Sequence, residues 1–184
     1  MNEEKPSIMI NSKYLALLFI SIPVLALVYA YCIWYIPFIY LNFILTAFLG
    51  MSIGTLINKS LVLDELQYPK YKIYKGATSL MVCFLVIFCH WIIWVDLALN
   101  RGEFYGIEKL GFTTSTSNFD QIFLLTSNPR LLFNTIIEIN KVGTWGLGEV
   151  ACNGIFLSAI WIIEIALIIW FTLSEVFEKR GTTI

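Results

Sequence analysis

Two ionisable residues, Glu164 and His90, stand inside long apolar stretches of the sequence. Glu164 lies within residues 150–174, and His90, the one histidine of the chain, lies within residues 76–97. A charged group in the hydrocarbon of a bilayer is costly, so such residues mark ion or proton paths or bonds between helices. At 1.5 Å per helical residue, Glu164 is about 16 Å from Glu175 and His90 is about 22 Å from Lys75. The two side chains are therefore predicted to lie at similar depths, where they can pair.

Further polar residues extend this pattern along the last apolar stretch. Asn153, Glu164 and Glu175 are spaced by 11 residues, which is three helical turns and places them on one line of a helix. We predict an intramembrane polar seam formed by Glu164, His90, Asn153 and Glu175. One hypothesis is that the seam lines a pore or a proton path, for example at an oligomer axis. The alternative is that a protonated or hydrogen-bonded Glu164 holds the helices together.

Enzymatic chemistry is not indicated. The sequence contains neither a HExxH metal motif nor a Gly-x-Ser-x-Gly nucleophile motif, and a single histidine excludes a multi-histidine metal site. Asp96 and Glu149 form a candidate carboxylate pair, but capping of two helix ends explains them equally well. The four cysteines lie in or beside apolar runs and are predicted to be small buried side chains. We predict a non-enzymatic protein without catalytic residues, metal or cofactor.

The composition indicates a membrane protein. Of 184 residues, 58% are hydrophobic and 14% are charged, and the mean hydropathy is +0.77. A net charge of −1 gives no reason to expect nucleic acid as a partner. The 45 residues between Lys13 and Lys59 carry no charge, so they hold two spans, with a break before Pro37. We predict a single all-α integral membrane domain, a four-transmembrane-helix bundle with spans at about 14–33, 37–57, 76–97 and 150–174.

The segment between spans 3 and 4, residues 98–149, is predicted to form an extra-membrane helical hairpin. Its helices are expected at 119–125 and 129–142, the second one beginning after Asn128 and ending at Gly143. Leu132, Ile136 and Ile139 give the second helix an apolar stripe. Such a helix either lies in the membrane interface or covers the bundle.

Small residues at four-residue spacing predict close helix packing. They are Gly50 and Gly54 in the second span and Gly154 and Ser158 in the fourth. Small side chains let two helix backbones approach closely in lipid. For Gly50 and Gly54 we favour packing within one chain, with a dimer face as the alternative.

The connector between spans 2 and 3, residues 58–75, is basic and aromatic. Its lysines and tyrosines are predicted to contact anionic lipid headgroups or a protein partner, and an ordinary interfacial flank is the simpler alternative. These residues are Lys70, Lys72, Lys75, Tyr68, Tyr71 and Tyr74. The termini and connector together carry 8 Lys and Arg residues against 4 elsewhere. This asymmetry predicts a multi-pass inner-membrane protein with both termini in the cytoplasm.

Two stretches of the chain resemble a family. One is Ile36-Pro-Phe-Ile-Tyr-Leu-Asn42, followed by Gly50 and Gly54. The other is Ile139-Asn-Lys-Val-Gly-Thr-Trp145, followed by Asn153-Gly154 and Ile160-Trp-Ile-Ile-Glu164. Over about a quarter of the chain, they resemble small, uncharacterised four-span membrane proteins of bacteria. The resemblance implies the four-span fold and attaches no activity to it.

These features predict a membrane-permeability function. The expected protein is a homo-oligomeric, pore- or channel-like membrane protein, for example an accessory or effector of a bacterial defence or toxin system. One alternative is a small ion- or proton-coupled transporter that uses Glu164 and His90. Another is an assembly subunit of a larger membrane complex. The expected partners are the lipid bilayer, further copies of the chain and a protein bound at the connector.

Overall fold

The computed structural model describes residues 9–10, 12–35, 39–62, 69–100, 118–143, 145–147 and 150–178. Within these ranges the chain forms six helices and two small antiparallel sheets. The helices are α1 (Ser12–Tyr35), α2 (Ile39–Ser60), α3 (Pro69–Asn100), α4 (Asn118–Ser127), α5 (Pro129–Val142) and α6 (Gly154–Phe177). The strands are β1 (Met9–Ile10), β2 (Leu61–Val62), β3 (Trp145–Leu147) and β4 (Val150–Cys152).

Four of the helices are long and apolar enough to cross a membrane. The candidate spans are Lys13–Tyr35, Leu41–Ser60, Lys72–Asn100 and Gly154–Phe177. This result confirms the predicted all-α, four-span fold and makes the chain a multi-pass membrane protein. The side of the membrane that each terminus occupies stays a prediction.

The ends of the third and fourth spans differ from the predicted ones. Helix α3 begins at Pro69 rather than near residue 76, because the backbone bonds of a helix continue through its charged first turns. Its 32 residues extend over about 48 Å, more than the thickness of a bilayer core. Helix α6 begins at Gly154 rather than at Val150, because β4 pairs with β3 instead, with Trp145 opposite Cys152.

Gly154 has a role different from the predicted one. A Cβ atom at this position meets nothing within 4 Å, so Gly154 does not mediate close helix packing. Its φ angle is +59°, which lies in the left-handed region that glycine adopts without strain. The glycine therefore allows the sharp change from strand β4 to helix α6.

The four spans pack as two helix pairs, α2 with α6 and α1 with α3. Buried apolar side chains of all four helices form the core between the pairs. Its central members are Leu18, Ile22, Ala26, Ile53, Ile57, Val86, Ile168 and Val176. The strand pair β1–β2 joins the chain before α1 to the end of α2, with Met9 opposite Val62.

Gly50 and Gly54 lie where α2 meets α6. A Cβ atom on Gly54 would lie 2.9 Å from the backbone oxygen of Thr172 and 2.6 Å from Cβ of Glu175. A Cβ atom on Gly50 would lie 2.9 Å from the backbone oxygen of Ile168. The hydroxyl of Thr172 donates to the backbone oxygen of Gly50 at 3.1 Å. The two glycines thus permit a backbone-to-backbone approach within one chain.

Gly54→Ala is expected to destabilise the protein by about 1–3 kcal/mol, the usual cost of overpacking a close contact. The backbone of α6 cannot yield as a flexible side chain can. Reversible unfolding in SDS-containing micelles measures the loss. Gly76→Ala is the matched control, because its Cβ atom would lie 3.4 Å from the Phe177 ring, an ordinary contact. A Gly54→Ala loss that increased on dilution would instead place the glycine at a dimer face.

Helices α4 and α5 form the predicted hairpin and pack on the end of α3. Six consecutive residues of α3, from Trp94 to Leu99, are buried, so neighbours surround this end of the helix on every side. A second apolar cluster joins it to Leu125 of α4 and to Leu132 and Ile139 of α5. The hairpin therefore covers one end of the bundle.

The ends of α5 follow the predicted capping signals. The side-chain oxygen of Asn128 accepts a hydrogen bond from the backbone N–H of Leu131 at 3.1 Å, and Pro129 occupies the first turn. The helix ends at Gly143, whose φ angle is 88°. Asn140 then donates to Ser158 Oγ at 2.8 Å and fastens α5 to the first turns of α6. Ser158 thus contributes to the contact between α5 and α6 by accepting this hydrogen bond.

Candidate intramembrane polar site

Glu164 lies on the face of helix α6 that is buried in the bundle. The buried residues of this helix recur every three or four positions, as expected for one face of a helix: Leu157, Ile160, Glu164, Ile168, Thr172 and Val176. Glu164 is only 7% exposed. Within the described part of the chain, its carboxyl group makes no hydrogen bond or ion pair. A buried carboxyl group without such a bond is unusual, because its desolvation is uncompensated.

Tyr29 of α1 begins a chain of hydrogen bonds. Its hydroxyl lies 2.8 Å from Oγ1 of Thr46, which donates in turn to the backbone oxygen of Asn42 at 2.7 Å. A threonine hydroxyl has one proton, and here that proton is used on Asn42. Tyr29 is therefore the donor to Thr46, and its own oxygen can still accept. Glu164 lies within electrostatic range of Tyr29.

His90 of α3 packs against the Tyr29 ring. The two ring centroids are 4.8 Å apart with the planes at 59°, and the Trp91 ring centroid is 5.7 Å from that of His90. His90 is 5% exposed. Its Nδ1 atom and the Oδ1 atom of Asn42 are buried without a hydrogen-bond partner among the described residues.

We call this set the central polar site: Tyr29, Asn42, Thr46, His90 and Glu164. Each of the four spans contributes at least one member. Three of the five were not predicted as site residues. Tyr29 is buried in the core. Its place on the face of α1 that carries Leu18, Ile22 and Ala26 is evident only from the structure, in which these residues are buried at successive four-residue intervals.

The four residues of the predicted polar seam lie in separate parts of the structure. Glu164 and His90 are both at the central polar site, but no hydrogen bond or ion pair joins them in the described structure. Asn153 is exposed at the start of α6 and donates to the backbone oxygen of Lys141 at 3.3 Å. Glu175 accepts from Oγ1 of Thr55 at 3.0 Å, at the other end of the helix. Glu164 and Glu175 are three turns apart on α6, and Asn153 precedes the helix.

A tryptophan cluster closes the central polar site on the side of the helical hairpin. Trp161, one turn before Glu164, packs edge to face with Trp91 and Trp94 at centroid distances of 4.8 and 5.5 Å. Trp34 of α1 meets Trp94 at 6.4 Å. These rings place a wide apolar surface beside the Glu164 carboxyl group.

Among the connector lysines and tyrosines, the side chains of Lys72, Tyr74 and Lys75 are described, and they do not all lie on one exposed face. Lys72 is exposed, with Nζ 5.5 Å above the Phe177 ring, and Tyr74 is exposed as well. Lys75 is buried, so it does not lie on an open docking face. Lys70 and Tyr71 belong to the first turn of α3, and Tyr68 lies outside the described residues.

The chemistry of the central polar site is that of a single acidic group among hydroxyl, amide and aromatic side chains. Among the described residues, no group of three or more His, Cys, Asp or Glu side chains is arranged to hold a metal ion. What the arrangement can do is bind and release a proton or another cation at Glu164. A comparison with protein-family models, with curated proteins and with solved structures found no match to the chain.

Proposed function

We propose that the protein conducts protons across the membrane and that each chain does so through its own four-helix bundle. Glu164 is the group that binds and releases the proton. The observation that supports this proposal is the absence of a hydrogen bond to the buried carboxyl group in the described structure. A carboxyl group that held the helices together would be bonded across them. An unbonded one remains available for proton exchange.

Polar side chains continue from Glu164 in both directions along the bundle. Tyr29 donates to Thr46, and Thr46 donates to the backbone oxygen of Asn42, toward the beginning of α2. Each of the two hydroxyl groups can donate and accept, whereas the backbone oxygen at the end of this chain only accepts. In the other direction, α6 carries Thr172 on the same inner face and then Glu175, which is bonded to Thr55.

The burial of Glu164 within one chain favours a path through the protomer over a pore at an oligomer axis. At such an axis the carboxyl group would have to face outward, but Glu164 lies on the buried face of α6 within one chain. A homo-oligomeric state, an accessory or effector role and a protein partner at the connector stay predictions. The non-enzymatic nature of the protein stays a prediction as well.

Proton flux into proteoliposomes tests the proposal. The purified full chain is reconstituted, a potassium diffusion potential is set with valinomycin, and a trapped pH-sensitive dye reports the internal pH. We expect acidification faster than in protein-free liposomes, with an initial rate proportional to the amount of protein, because each chain conducts by itself. A rate equal to the leak of protein-free liposomes would refute the proposal. A rate that rose more steeply than the protein amount would favour the oligomeric pore.

A further inference from the structure

Helix α5 exposes large apolar side chains although it lies outside the four spans. The side chain of Phe133 is 63% exposed, and that of Ile137 is exposed as well. The opposite face of the helix, with Leu132 and Ile139, is buried in the apolar cluster that α5 shares with α3. Apolar surface of this kind marks a contact with a membrane or with a partner when it stands outside the spans.

The two exposed side chains belong to a stripe that leads to α6. Phe133, Ile137 and Asn140 follow one another at intervals of four and three residues, so they share one side of α5. The side-chain amide of Asn140 donates to Oγ of Ser158 at 2.8 Å. We call Phe133 and Ile137 the α5 stripe. The hydrogen bond shows that this side of α5 is turned toward the first turns of α6.

Ser158 itself lies in the lipid-facing stripe of α6. Ile155, Ser158 and Ile162 follow one another at intervals of three and four residues, so they share one side of the helix. Ile155 is 91% exposed and Ile162 is 66% exposed, and both belong to the candidate span Gly154–Phe177. Exposed side chains of a span contact lipid. The α5 stripe is therefore continuous with a surface that the bilayer covers.

A second hydrogen bond fixes the depth at which α5 ends. Asn153, the residue before α6, donates to the backbone oxygen of Lys141 at 3.3 Å. Together with the bond from Asn140 to Ser158, it holds the last turn of α5 level with the residues at which the fourth span begins. Helix α5 therefore ends at the boundary of the bilayer.

The other exposed side of α5 is polar. It carries Asn134, Glu138 and Lys141, and the last two form an ion pair at 2.6 Å. A helix that exposes one apolar and one polar side fits the membrane interface, where the first contacts acyl chains and the second contacts water.

We propose that α5 is an interfacial helix and that the α5 stripe is inserted among the acyl chains of the surrounding phospholipids, beside the first turns of α6. The opposite face of α5 stays packed on α3, so the helix ties the end of the bundle to the bilayer surface. This lipid contact is independent of proton conduction through the central polar site.

Photo-labelling of the full chain in phosphatidylcholine liposomes tests the lipid contact. Part of the lipid carries a diazirine on an acyl chain, close to the glycerol, and mass spectrometry identifies the residues to which light attaches it. We expect labels on Phe133 and Ile137, as on Ile162, the positive control, and far fewer on Asn134. Labels on Ile162 without labels on the α5 stripe, or equal labelling of Asn134 and Phe133, would overturn the proposal.

Dilution of the chain in lipid distinguishes the bilayer from a second copy of the chain. Lipid that covers the α5 stripe labels it to the same extent, relative to Ile162, at high and at low ratios of protein to lipid. Labels that appeared on the stripe only at low ratios would show that another chain covers it, and this result would also overturn the proposal.

Two substitutions compare the apolar and the polar side of α5. Ile137→Asp is expected to lower the labelling of Phe133 by about tenfold, which corresponds to the loss of one buried isoleucine side chain. Asn134→Asp, which places the same group on the polar side, is expected to leave it unchanged. Circular dichroism and gel filtration establish whether both variants fold, and if Ile137→Asp does not, the labels on the unaltered chain decide. Equal labelling of Phe133 in the two folded variants would contradict the lipid contact.

Discussion

Replacing Glu164 by Gln is expected to lower the proton flux through proteoliposomes by about a hundredfold, the lower end of what a positioned acid–base group contributes. Glutamine has nearly the same shape as glutamic acid but cannot bind and release a proton. The side chain lies on the inner face of α6 and is not bonded to another described residue, so its exchange removes no contact that holds the helices. The dye-based flux assay measures the effect.

The matched control is Glu138→Gln. It makes the same chemical change on α5, outside the four spans, where the exposed Glu138 pairs with Lys141 at 2.6 Å. An exposed ion pair contributes little, so we expect the flux to remain within about threefold of the original, the size of a sub-kilocalorie effect. If the two variants lose flux equally, Glu164 is not the conducting group. If Glu164→Gln retains full flux while it unfolds more readily, its role is to hold the helices together.

Trp94→Ala is expected to destabilise the protein by about 3–5 kcal/mol, the usual cost of a large cavity in a well-packed core. Trp94 is only 5% exposed and contacts three other tryptophans, so its removal leaves a hole that the rigid indole rings cannot fill. The cavity would also remove part of the packing between the helical hairpin and the central polar site. Reversible unfolding in SDS-containing micelles measures the loss.

Trp170→Ala provides the comparison for this variant. Trp170 is also on α6 but is 68% exposed on the outer face of the bundle, where lipid fills the space that the ring leaves. Its replacement is expected to change stability by less than about 1 kcal/mol, as surface substitutions usually do. Equal losses in the two variants would show that the tryptophan cluster does not act as a packed core.

The sequence predicts the number of spans and the helical hairpin because length and capping are local signals. A run of about twenty apolar residues predicts a span without knowledge of its neighbours. Asn128, Pro129 and Gly143 mark the ends of α5 by their own backbone preferences. The positions of α4 and α5 against α3 are consistent with the apolar stripe of α5.

The residues that form the central polar site cannot be predicted from such local signals. Inside a bilayer, the residues that face lipid are as apolar as those that face the core, so the usual periodicity is weak. In α1, the buried Leu18 and Ile22 and the exposed Phe19 and Ile20 are equally hydrophobic. The sequence around Tyr29 therefore does not indicate that its side chain faces the core. Glu164 and His90 were found only because an ionisable group is rare in a span.

The arrangement of the spans as two helix pairs has a mechanical consequence. Glu164, Thr46 and Asn42 belong to the α2–α6 pair, whereas Tyr29 and His90 belong to the α1–α3 pair. The glycine contact holds α2 and α6 closely together, so a rotation of this pair against α1 and α3 would act on the hydrogen bond between Tyr29 and Thr46. The central polar site thus lies where a small displacement between the two pairs would make or break that hydrogen bond.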